Sequence, residues 1–202
     1  EAEVVPWMLQ ALDAVAYIHS QDIIHRDIKP SNMKLTPSHQ IVLVDFGIAK
    51  VGSHAHTGLV AHGCFTPYMA PPEQCTMNGK TGVYTDIYGL GATMYNLLTG
   101  RYPPDAVSRM MGEDLTNPRL FNPALSLNTE QVILKAMEIL PQNRFQSAME
   151  MKEALRRSPG AQVAQVHLPI RQPISPQQSP AGPQTPDPQA AAGGIFRREI
   201  RR

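Results

Sequence analysis

The segment from Ile87 to Thr99 restricts the possible folds of this chain more than any other segment does. Its apolar residues cover nearly every side of a helix, so a helix formed here leaves little surface for water. Asp86 is predicted to open this helix, and Gly100 to end it, because glycine readily adopts the left-handed conformation that follows many helices. We therefore expect this helix at the centre of a core built from other helices. Its apolar residues are Ile87, Leu90, Ala92, Met94, Leu97 and Leu98.

Other patterns predict further helices and one β-hairpin. An amphipathic helix is predicted from Val5 to about His19, since apolar residues recur there at three- and four-residue spacing. Two short apolar runs, Met33–Leu35 and Ile41–Val44, flank a turn-forming stretch and predict a small hairpin. The predicted fold class is therefore mainly α with a small β-hairpin. Two capping boxes predict the starts of two more helices: Asn128 with Gln131, and Ser147 with Glu150.

Composition divides the chain near Ser158. The residues beyond it hold eight of the nineteen prolines, with many Gln, Ala, Ser and Gly residues. Such a segment buries too little apolar surface to offset its ordering entropy. We predict one folded domain over 1–157 and a disordered Pro-rich linker with a basic end over 158–202. Two alternatives remain open: the prolines form a docking ligand, or the basic end precedes a transmembrane helix.

Charge and cysteine content argue against several classes of function. The formal net charge is +1, which does not favour a nucleic-acid partner. Cys64 and Cys75 are too few for a disulfide framework or a zinc site. Three histidines, at positions 54, 56 and 62, have no cluster of cysteines or carboxylates around them, so we expect them to bind no metal. A reducing, cytoplasmic setting fits this composition.

Four polar side chains flank the predicted hairpin in a pattern that suits phosphoryl transfer. Asp27, Lys29 and Asn32 precede the hairpin in the sequence His-Arg-Asp-Ile-Lys-Pro-Ser-Asn, and Asp45 follows it in Asp-Phe-Gly. A carboxylate can orient an attacking hydroxyl group, and an ammonium group can face the transferred phosphoryl group. Amide and carboxylate oxygens are suitable ligands for Mg²⁺. The chemistry indicated is transfer of a phosphoryl group by positioning and charge neutralisation.

These two motifs resemble the catalytic loop and the metal-binding motif of protein kinases. The resemblance continues in order through a substrate-binding segment beginning at Thr66, an anchor at Pro71–Glu73, a central helix at Asp86, and Arg144. It covers about residues 3–157 and is closest in pattern to bacterial (eukaryotic-like) serine/threonine protein kinases. The glycine-rich phosphate loop and strand lysine of such kinases are not found in the sequence. The resemblance therefore implies a kinase-like C-terminal lobe, with the N-terminal lobe absent.

The resemblance also implies a role for each matched residue of the catalytic motifs. Asp27 is expected to be the catalytic base. Lys29 is expected to contact the transferred phosphate of ATP, and Thr66 to hydrogen-bond toward both of these side chains. Asn32 and Asp45 are expected to hold Mg²⁺.

Further expectations concern regulation, nucleotide binding and structure. Arg26 is expected to pair with a phosphate on the activation segment, about residues 48–65, with Thr57 as the favoured acceptor. Lys34 is expected to lie beneath the adenine of ATP through its methylene stem. The residues expected to be structural are His25 packed under Phe46, Glu73 in a buried pair with Arg144, and Asp86 as an acceptor of backbone N–H groups.

The activity implied by the resemblance is phosphorylation of Ser or Thr hydroxyls in proteins, with ATP and Mg²⁺ as cofactors. Protein substrates and a kinase dimer are the expected partners, and a membrane only if a transmembrane helix follows. The chain alone is expected to be inactive. One alternative is a non-catalytic scaffold of the pseudokinase type, which has no need of all four catalytic side chains. A small-molecule phosphotransferase is the other, which would lack the segment from Thr66 to Glu73.

Overall fold

The computed structural model describes residues 1–46, 50–51 and 66–157 of the chain. Six α-helices and four short strands occur in these ranges, together with three single turns of 3-10 helix at Pro30–Asn32, Pro72–Gln74 and Pro141–Asn143. The predicted mainly α fold with a small hairpin is confirmed. The helices are α1 Val4–Ser20, α2 Val83–Thr99, α3 Ala106–Met110, α4 Pro118–Phe121, α5 Leu127–Ala136 and α6 Ala148–Arg156. The strands are β1 Ile23–Ile24, β2 Met33–Leu35, β3 Ile41–Leu43 and β4 Lys50–Val51.

Strands β2 and β3 form the predicted antiparallel hairpin. Its register pairs Met33 with Leu43 and Leu35 with Ile41. The backbone N–H of Val44 donates to the carbonyl of Asn32 at 2.9 Å, which extends the pairing by one residue beyond the strands. The chain therefore enters and leaves the hairpin at the same end, and Asp45 follows directly after that last bond. A second antiparallel pair joins β1 to β4.

Helix α2 lies at the centre of the core, as predicted. Every residue from Thr85 to Tyr95 is buried, and α1, α4, α5 and α6 pack around it. Gly91 allows α2 and α5 to approach each other closely, since a Cβ at position 91 would lie 2.8 Å from the Cβ of Ala136 on α5. Gly100 ends the helix at a φ of 69°, which confirms its predicted role. Leu97 was predicted to be in the core, but it is 38% exposed while the next residue, Leu98, is 6% exposed, so the last turn of α2 has one side that faces solvent.

The start of α2 was predicted at the wrong residue. The helix begins at Val83, and the N–H of Gly82 donates to the hydroxyl of Thr85 at 3.1 Å. Asp86 therefore does not open the helix. Its carboxylate is buried and accepts hydrogen bonds from the chain around residue 25 instead.

The predicted N-cap of α6 is confirmed, whereas that of α5 is wrong. Ser126 caps α5 by accepting from the N–H of Thr129, so the prediction that Asn128 caps this helix is wrong. Asn128 is buried and donates to the carbonyl of Ala154, which ties α5 to α6. Ser147 caps α6 as predicted, by accepting from the N–H of Glu150.

Helix α1 packs its apolar face against α2 and α6. The buried residues of this face follow the predicted helical spacing, and they are Met8, Ala11, Leu12 and Val15. Within the described ranges, no helix combines the length and the apolar content needed to span a membrane. The predicted linker over 158–202 lies outside the described residues.

Candidate active site

The loop between β1 and β2 carries three of the predicted site residues. Asp27, Lys29 and Asn32 occur within six positions, and the 3-10 turn at Pro30–Asn32 ends the loop. The side chains of Asp27 and Lys29 are 18% and 23% exposed, so both are shielded but reachable from solvent. A loop of this kind holds its polar groups at the surface on a rigid base, which is common for binding and catalytic residues.

Asp27, Lys29 and Thr66 form a triangle of charge-assisted hydrogen bonds. The Lys29 Nζ lies 2.7 Å from Asp27 Oδ2 and donates to the Thr66 hydroxyl at 2.7 Å. That hydroxyl donates in turn to Asp27 Oδ1 at 2.9 Å. Thr66 is 39 positions from Asp27 in sequence, so the fold brings the two together. Both carboxylate oxygens of Asp27 are thereby oriented, and the ammonium group lies beside them.

Asn32 completes the environment of Asp27. Its Nδ2 donates to the carbonyl of Asp27 and to Oδ2 of the same residue, both at 2.9 Å. Since these contacts use the amide nitrogen, the opposite atom, Oδ1, is the one left to act as an acceptor or a metal ligand. The side-chain hydroxyl of Ser31 donates weakly to that oxygen at 3.4 Å.

Asp45 lies at the same end of the hairpin as Asn32. It is exposed, and in residues 1–46 and 66–157 nothing is hydrogen-bonded to its carboxylate. Its φ of 67° lies in the left-handed region, which is uncommon for residues other than glycine and often marks a functional site. One carboxylate and one amide oxygen suit Mg²⁺, which keeps several waters or phosphate oxygens as its other ligands. The donor set fits the ion that the resemblance implies.

His25 connects the Asp27 loop with the segment that carries Asp45. Its Nδ1 accepts from the N–H of Asp27 at 3.3 Å, and its Nε2 lies 3.2 Å from the carbonyl of Val44. Because Nδ1 is an acceptor, the hydrogen of a neutral ring is on Nε2 and is donated to Val44. The ring is fully buried, and its centroid lies 4.6 Å from that of the Phe46 ring with a tilt of 44° between the planes, so His25 packs against Phe46 as predicted. The His25 side chain thus contacts both the loop that carries Asp27 and the segment that carries Asp45.

The carboxylate of Asp86 fixes the backbone that precedes Asp27. It accepts the N–H of His25 at 2.9 Å and the N–H of Arg26 at 2.7 Å, so the predicted acceptor contacts are present. Arg26 has a φ of 69°, and its carbonyl accepts from Gln74 Nε2 at 2.8 Å. Hydrogen bonds therefore fix both the N–H and the carbonyl of Arg26 in this left-handed conformation. Sequence reasoning missed Gln74, because nothing in its local pattern indicates a bond to a residue 48 positions away.

The guanidinium of Arg26 has one buried nitrogen without a hydrogen-bond partner in the part of the chain that the structure describes. This nitrogen is Nε. Burial lowers the pKa of Arg26 below its ordinary value, and the nearby Asp86 carboxylate opposes that shift. The predicted acceptor Thr57 and the segment over 48–65 lie outside the described residues, apart from the backbone of Lys50 and Val51. The three histidines at 54, 56 and 62 lie outside them as well.

A comparison with known protein families shows which family the chain belongs to. The family described as the protein kinase domain matches residues 1–155. The chain belongs to the protein kinase family. Among curated proteins, this kinase chain is 32% identical over 154 residues to the serine/threonine-protein kinase PknB of Mycobacterium leprae, which covers 73% of the chain and 25% of that protein.

Two other relatives give the same picture. The chain is 33% identical over 165 residues to serine/threonine-protein kinase B of Synechocystis, covering 77% of the chain and 28% of the relative. It is 32% identical over 158 residues to the serine/threonine-protein kinase PrkC of Bacillus subtilis, covering 74% and 24%. This kinase chain therefore spans about a quarter of the length of the curated relatives it matches.

The predicted Glu73–Arg144 pair of this kinase chain is present and buried. Arg144 NH1 and NH2 donate to the two carboxylate oxygens of Glu73 at 2.7 and 3.0 Å. Arg144 is 2% exposed and Glu73 is 8% exposed. The hydroxyl of Thr85 adds a third donor to Glu73 at 3.0 Å. The remaining donors of the guanidinium reach three backbone carbonyls, those of Tyr84, Glu138 and Ile139.

Lys34 occupies the middle of β2, opposite Val42. Its side chain is exposed, and that of Val42 is exposed by 44%. These two side chains lie on one face of the hairpin, because directly paired residues of an antiparallel ladder point to the same side. That an adenine ring lies over this face stays a prediction.

Proposed function

We propose that this chain carries the catalytic-loop part of a protein serine/threonine kinase, corresponding to the C-terminal lobe of the catalytic domain. The kinase would transfer the γ-phosphoryl group of ATP to Ser or Thr hydroxyls of protein substrates. The observation that supports this most is the triangle of Asp27, Lys29 and Thr66 beside Asn32, at the base of the hairpin that leads to Asp45. The names of the similar bacterial proteins support the same class of reaction.

Asp27 is proposed to orient the substrate hydroxyl and to receive its proton. Three side chains already fix its carboxylate, so little reorganisation is needed when a hydroxyl donates to it. In the step, the hydroxyl oxygen forms a bond to the γ-phosphorus, and the bond from that phosphorus to the bridging oxygen of ADP breaks. Lys29 would place a positive charge beside the oxygens of the transferred phosphoryl group, which carry negative charge in the transition state.

Asn32 and Asp45 are proposed to hold Mg²⁺, which would neutralise phosphate charge when bound. Thr66 is proposed to orient Asp27 and Lys29, since its hydroxyl accepts from Lys29 and donates to Asp27. Arg26 is proposed to pair with a phosphate group on the activation segment, because its buried Nε–H lacks an acceptor among the described residues.

Nucleotide binding needs groups that these 202 residues do not supply. The sequence contains no glycine-rich phosphate loop after a strand and no strand lysine for the α- and β-phosphates. We therefore propose that the 202-residue chain transfers phosphate at a negligible rate by itself. It would become active when joined to a lobe that contains both features.

The test uses a polypeptide in which the 202-residue chain is joined to a lobe that contains both features, called the two-lobed polypeptide below. Its transfer of phosphate from ATP to a serine peptide is measured. Asp27→Asn should lower kcat by a factor of about 10² to 10⁴, which is the usual contribution of a general base. Asp22→Asn is a matched control, because Asp22 is exposed, lies outside the site and has a positive φ that asparagine tolerates. Equal activity of the Asp27→Asn variant and the wild type would refute the proposal. Binding of Mg·ATP without any transfer would favour a non-catalytic scaffold.

A further inference from the structure

Gln74 makes a buried contact that the matched kinase motifs do not include. It follows the Pro71–Glu73 anchor, ends the 3-10 turn at Pro72–Gln74 and is 7% exposed. Its Nε2 donates to the carbonyl of Arg26 at 2.8 Å, which is a normal hydrogen-bond distance. Because a carbonyl oxygen can only accept, the amide nitrogen must face it, and this fixes the orientation of the Gln74 side chain.

The accepting carbonyl belongs to the peptide group that joins Arg26 to Asp27. A peptide group is planar, so this carbonyl rotates together with the N–H of Asp27. That N–H donates to His25 Nδ1 at 3.3 Å, a longer distance than the 2.8 Å of the Gln74 contact. The Gln74 amide is therefore the closer of the two groups that hold this peptide plane.

The backbone at Arg26 needs partners on both sides. Its φ of 69° is unfavourable for a residue with a Cβ, and such a conformation persists only where surrounding contacts enforce it. Asp86 accepts the N–H of Arg26, which belongs to the preceding peptide group, so it does not hold the group that leads to Asp27. Rotation of that group would displace the proposed base, and a change of about 1 Å in the position of a catalytic group can lower a rate by a factor of about 100.

Packing alone does not hold the Arg26–Asp27 peptide group in place. A cavity of about 10 Å³ lies beside it, and Arg26, Asp27 and Gln74 are among the residues that line this cavity. One water molecule needs about this volume, so van der Waals contact between the loop and the neighbouring segment is incomplete here. A directed hydrogen bond from Gln74 can supply the restraint that packing lacks.

We propose that Gln74 is a positioning residue for phosphoryl transfer. Its amide fixes the plane of the Arg26–Asp27 peptide group and thereby the position of the Asp27 carboxylate. The neighbouring Glu73 is bound to Arg144 in the core, which anchors the backbone that carries Gln74. The catalytic part of this inference rests on the proposed kinase function, whereas its structural part concerns a peptide group whose motion can be measured without catalysis.

The first experiment measures amide-nitrogen relaxation dispersion in the 202-residue chain, which detects minor conformations that exchange within microseconds to milliseconds. Gln74→Met keeps a side chain of similar length and removes the donor. We expect it to raise the population of a rotated Arg26–Asp27 peptide group about fivefold, the usual effect of losing one hydrogen bond. The change should appear at the Asp27 amide and not at the amide of Leu90, which is buried in α2.

Gln131→Met is the matched control, because Gln131 is exposed on α5, and it should leave both amides as in the wild type. An Asp27 amide that Gln74→Met leaves unchanged, or an equal change at Leu90, would overturn the inference.

The second experiment measures transfer to a serine peptide in the two-lobed polypeptide, with rates corrected for the folded fraction measured by circular dichroism. Gln74→Met should lower kcat about tenfold or more while KM for ATP stays unchanged. Gln74→His retains a ring N–H at a similar distance from the backbone and should restore most of the rate. Full kcat in Gln74→Met, or an equal loss in both variants, would overturn the inference and leave the kinase function intact. An inactive wild type with a selective change at the Asp27 amide would refute the kinase function and support the positioning by Gln74.

Discussion

Replacing Arg144 with methionine should destabilise the fold severely. Methionine resembles the aliphatic stem of arginine and carries no charge, so the variant removes the guanidinium from its buried site without adding volume. The Glu73 carboxylate then keeps the Thr85 hydroxyl as its remaining side-chain donor among the described residues. Three backbone carbonyls lose their Arg144 donor at the same time.

The expected loss follows from the burial of both partners. Removing one member of a buried ion pair usually costs about 3–5 kcal/mol, because the remaining charge has lost its compensation. A domain of this size typically unfolds with a free energy of about 5–15 kcal/mol, so the variant would lose a large part of its stability. The same loss corresponds to a decrease in Tm of about 6–20 °C.

Thermal and urea unfolding of the 202-residue chain, followed by circular dichroism, measure this loss. Arg156→Met is the matched control, since Arg156 is about half exposed and lies 3.7 Å from Glu153, and its effect should stay within about 0.5 kcal/mol. Adding Glu73→Gln to Arg144→Met removes the uncompensated charge and should recover at least about 1 kcal/mol. The reasoning is refuted if the double variant is no more stable than Arg144→Met, or if Arg144→Met costs less than about 1 kcal/mol.

Three further predictions test the site, the pH dependence and the core. Thr66→Val removes the hydroxyl that bonds to both the proposed base and the ammonium group. The kcat of the two-lobed polypeptide should fall about tenfold or more, while Thr66→Ser stays active, and an unchanged kcat would contradict this. A hydrogen bond from the Gln146 N–H holds the pKa of Glu150 below its ordinary value of 4.5, against the opposing effect of burial. The stabilisation that this lowered pKa provides is complete above pH 4.5 and is lost as the pH falls through the pKa of the folded state. In urea unfolding from about pH 6 to about pH 3, the free energy of unfolding should therefore fall more steeply for the wild type than for Glu150→Gln. Gly91→Ala places a Cβ 2.8 Å from that of Ala136 and should cost about 1–3 kcal/mol in thermal unfolding despite the better helix propensity of alanine; a variant as stable as the wild type would show that α2 and α5 can separate freely.

The parts of the fold that were predictable depend on local patterns. The apolar run of α2 and the spacing of α1 are periodic over several turns, so helix formation and burial follow from the sequence. The hairpin was predictable because two apolar runs flank a turn-forming stretch, which also places Asn32 and Asp45 at one end. The proximity of Thr66 to Asp27 followed from the family resemblance alone.

The predictions that failed concern polar residues whose partners lie far away in sequence. Asp86 was wrongly predicted to open α2 from its local pattern, whereas its separate prediction as an acceptor of backbone N–H groups agrees with the contacts to residues about 60 positions earlier. Asn128 looks like a cap, yet its amide reaches the carbonyls of α6. His19 carries no local signal for its contact with Asp86, 67 positions along the chain. A side chain of this kind can satisfy either a local or a distant partner, and only the tertiary fold decides between them.

Side chains attach the segment from Thr66 to Gln74 to the loop that carries Asp27, and this has a mechanical consequence. Among the described residues, hydrogen bonds between these two segments all involve side chains: Lys29 and Asp27 with Thr66, and Gln74 with the carbonyl of Arg26. The loop itself is tied to the central helix by backbone N–H groups through Asp86. Rotation of a few side chains would therefore separate Thr66 from Asp27 and Lys29, while the buried Glu73–Arg144 pair holds the other end of the segment and the loop keeps its shape. Such a construction permits the site to be disassembled and rebuilt without unfolding any helix.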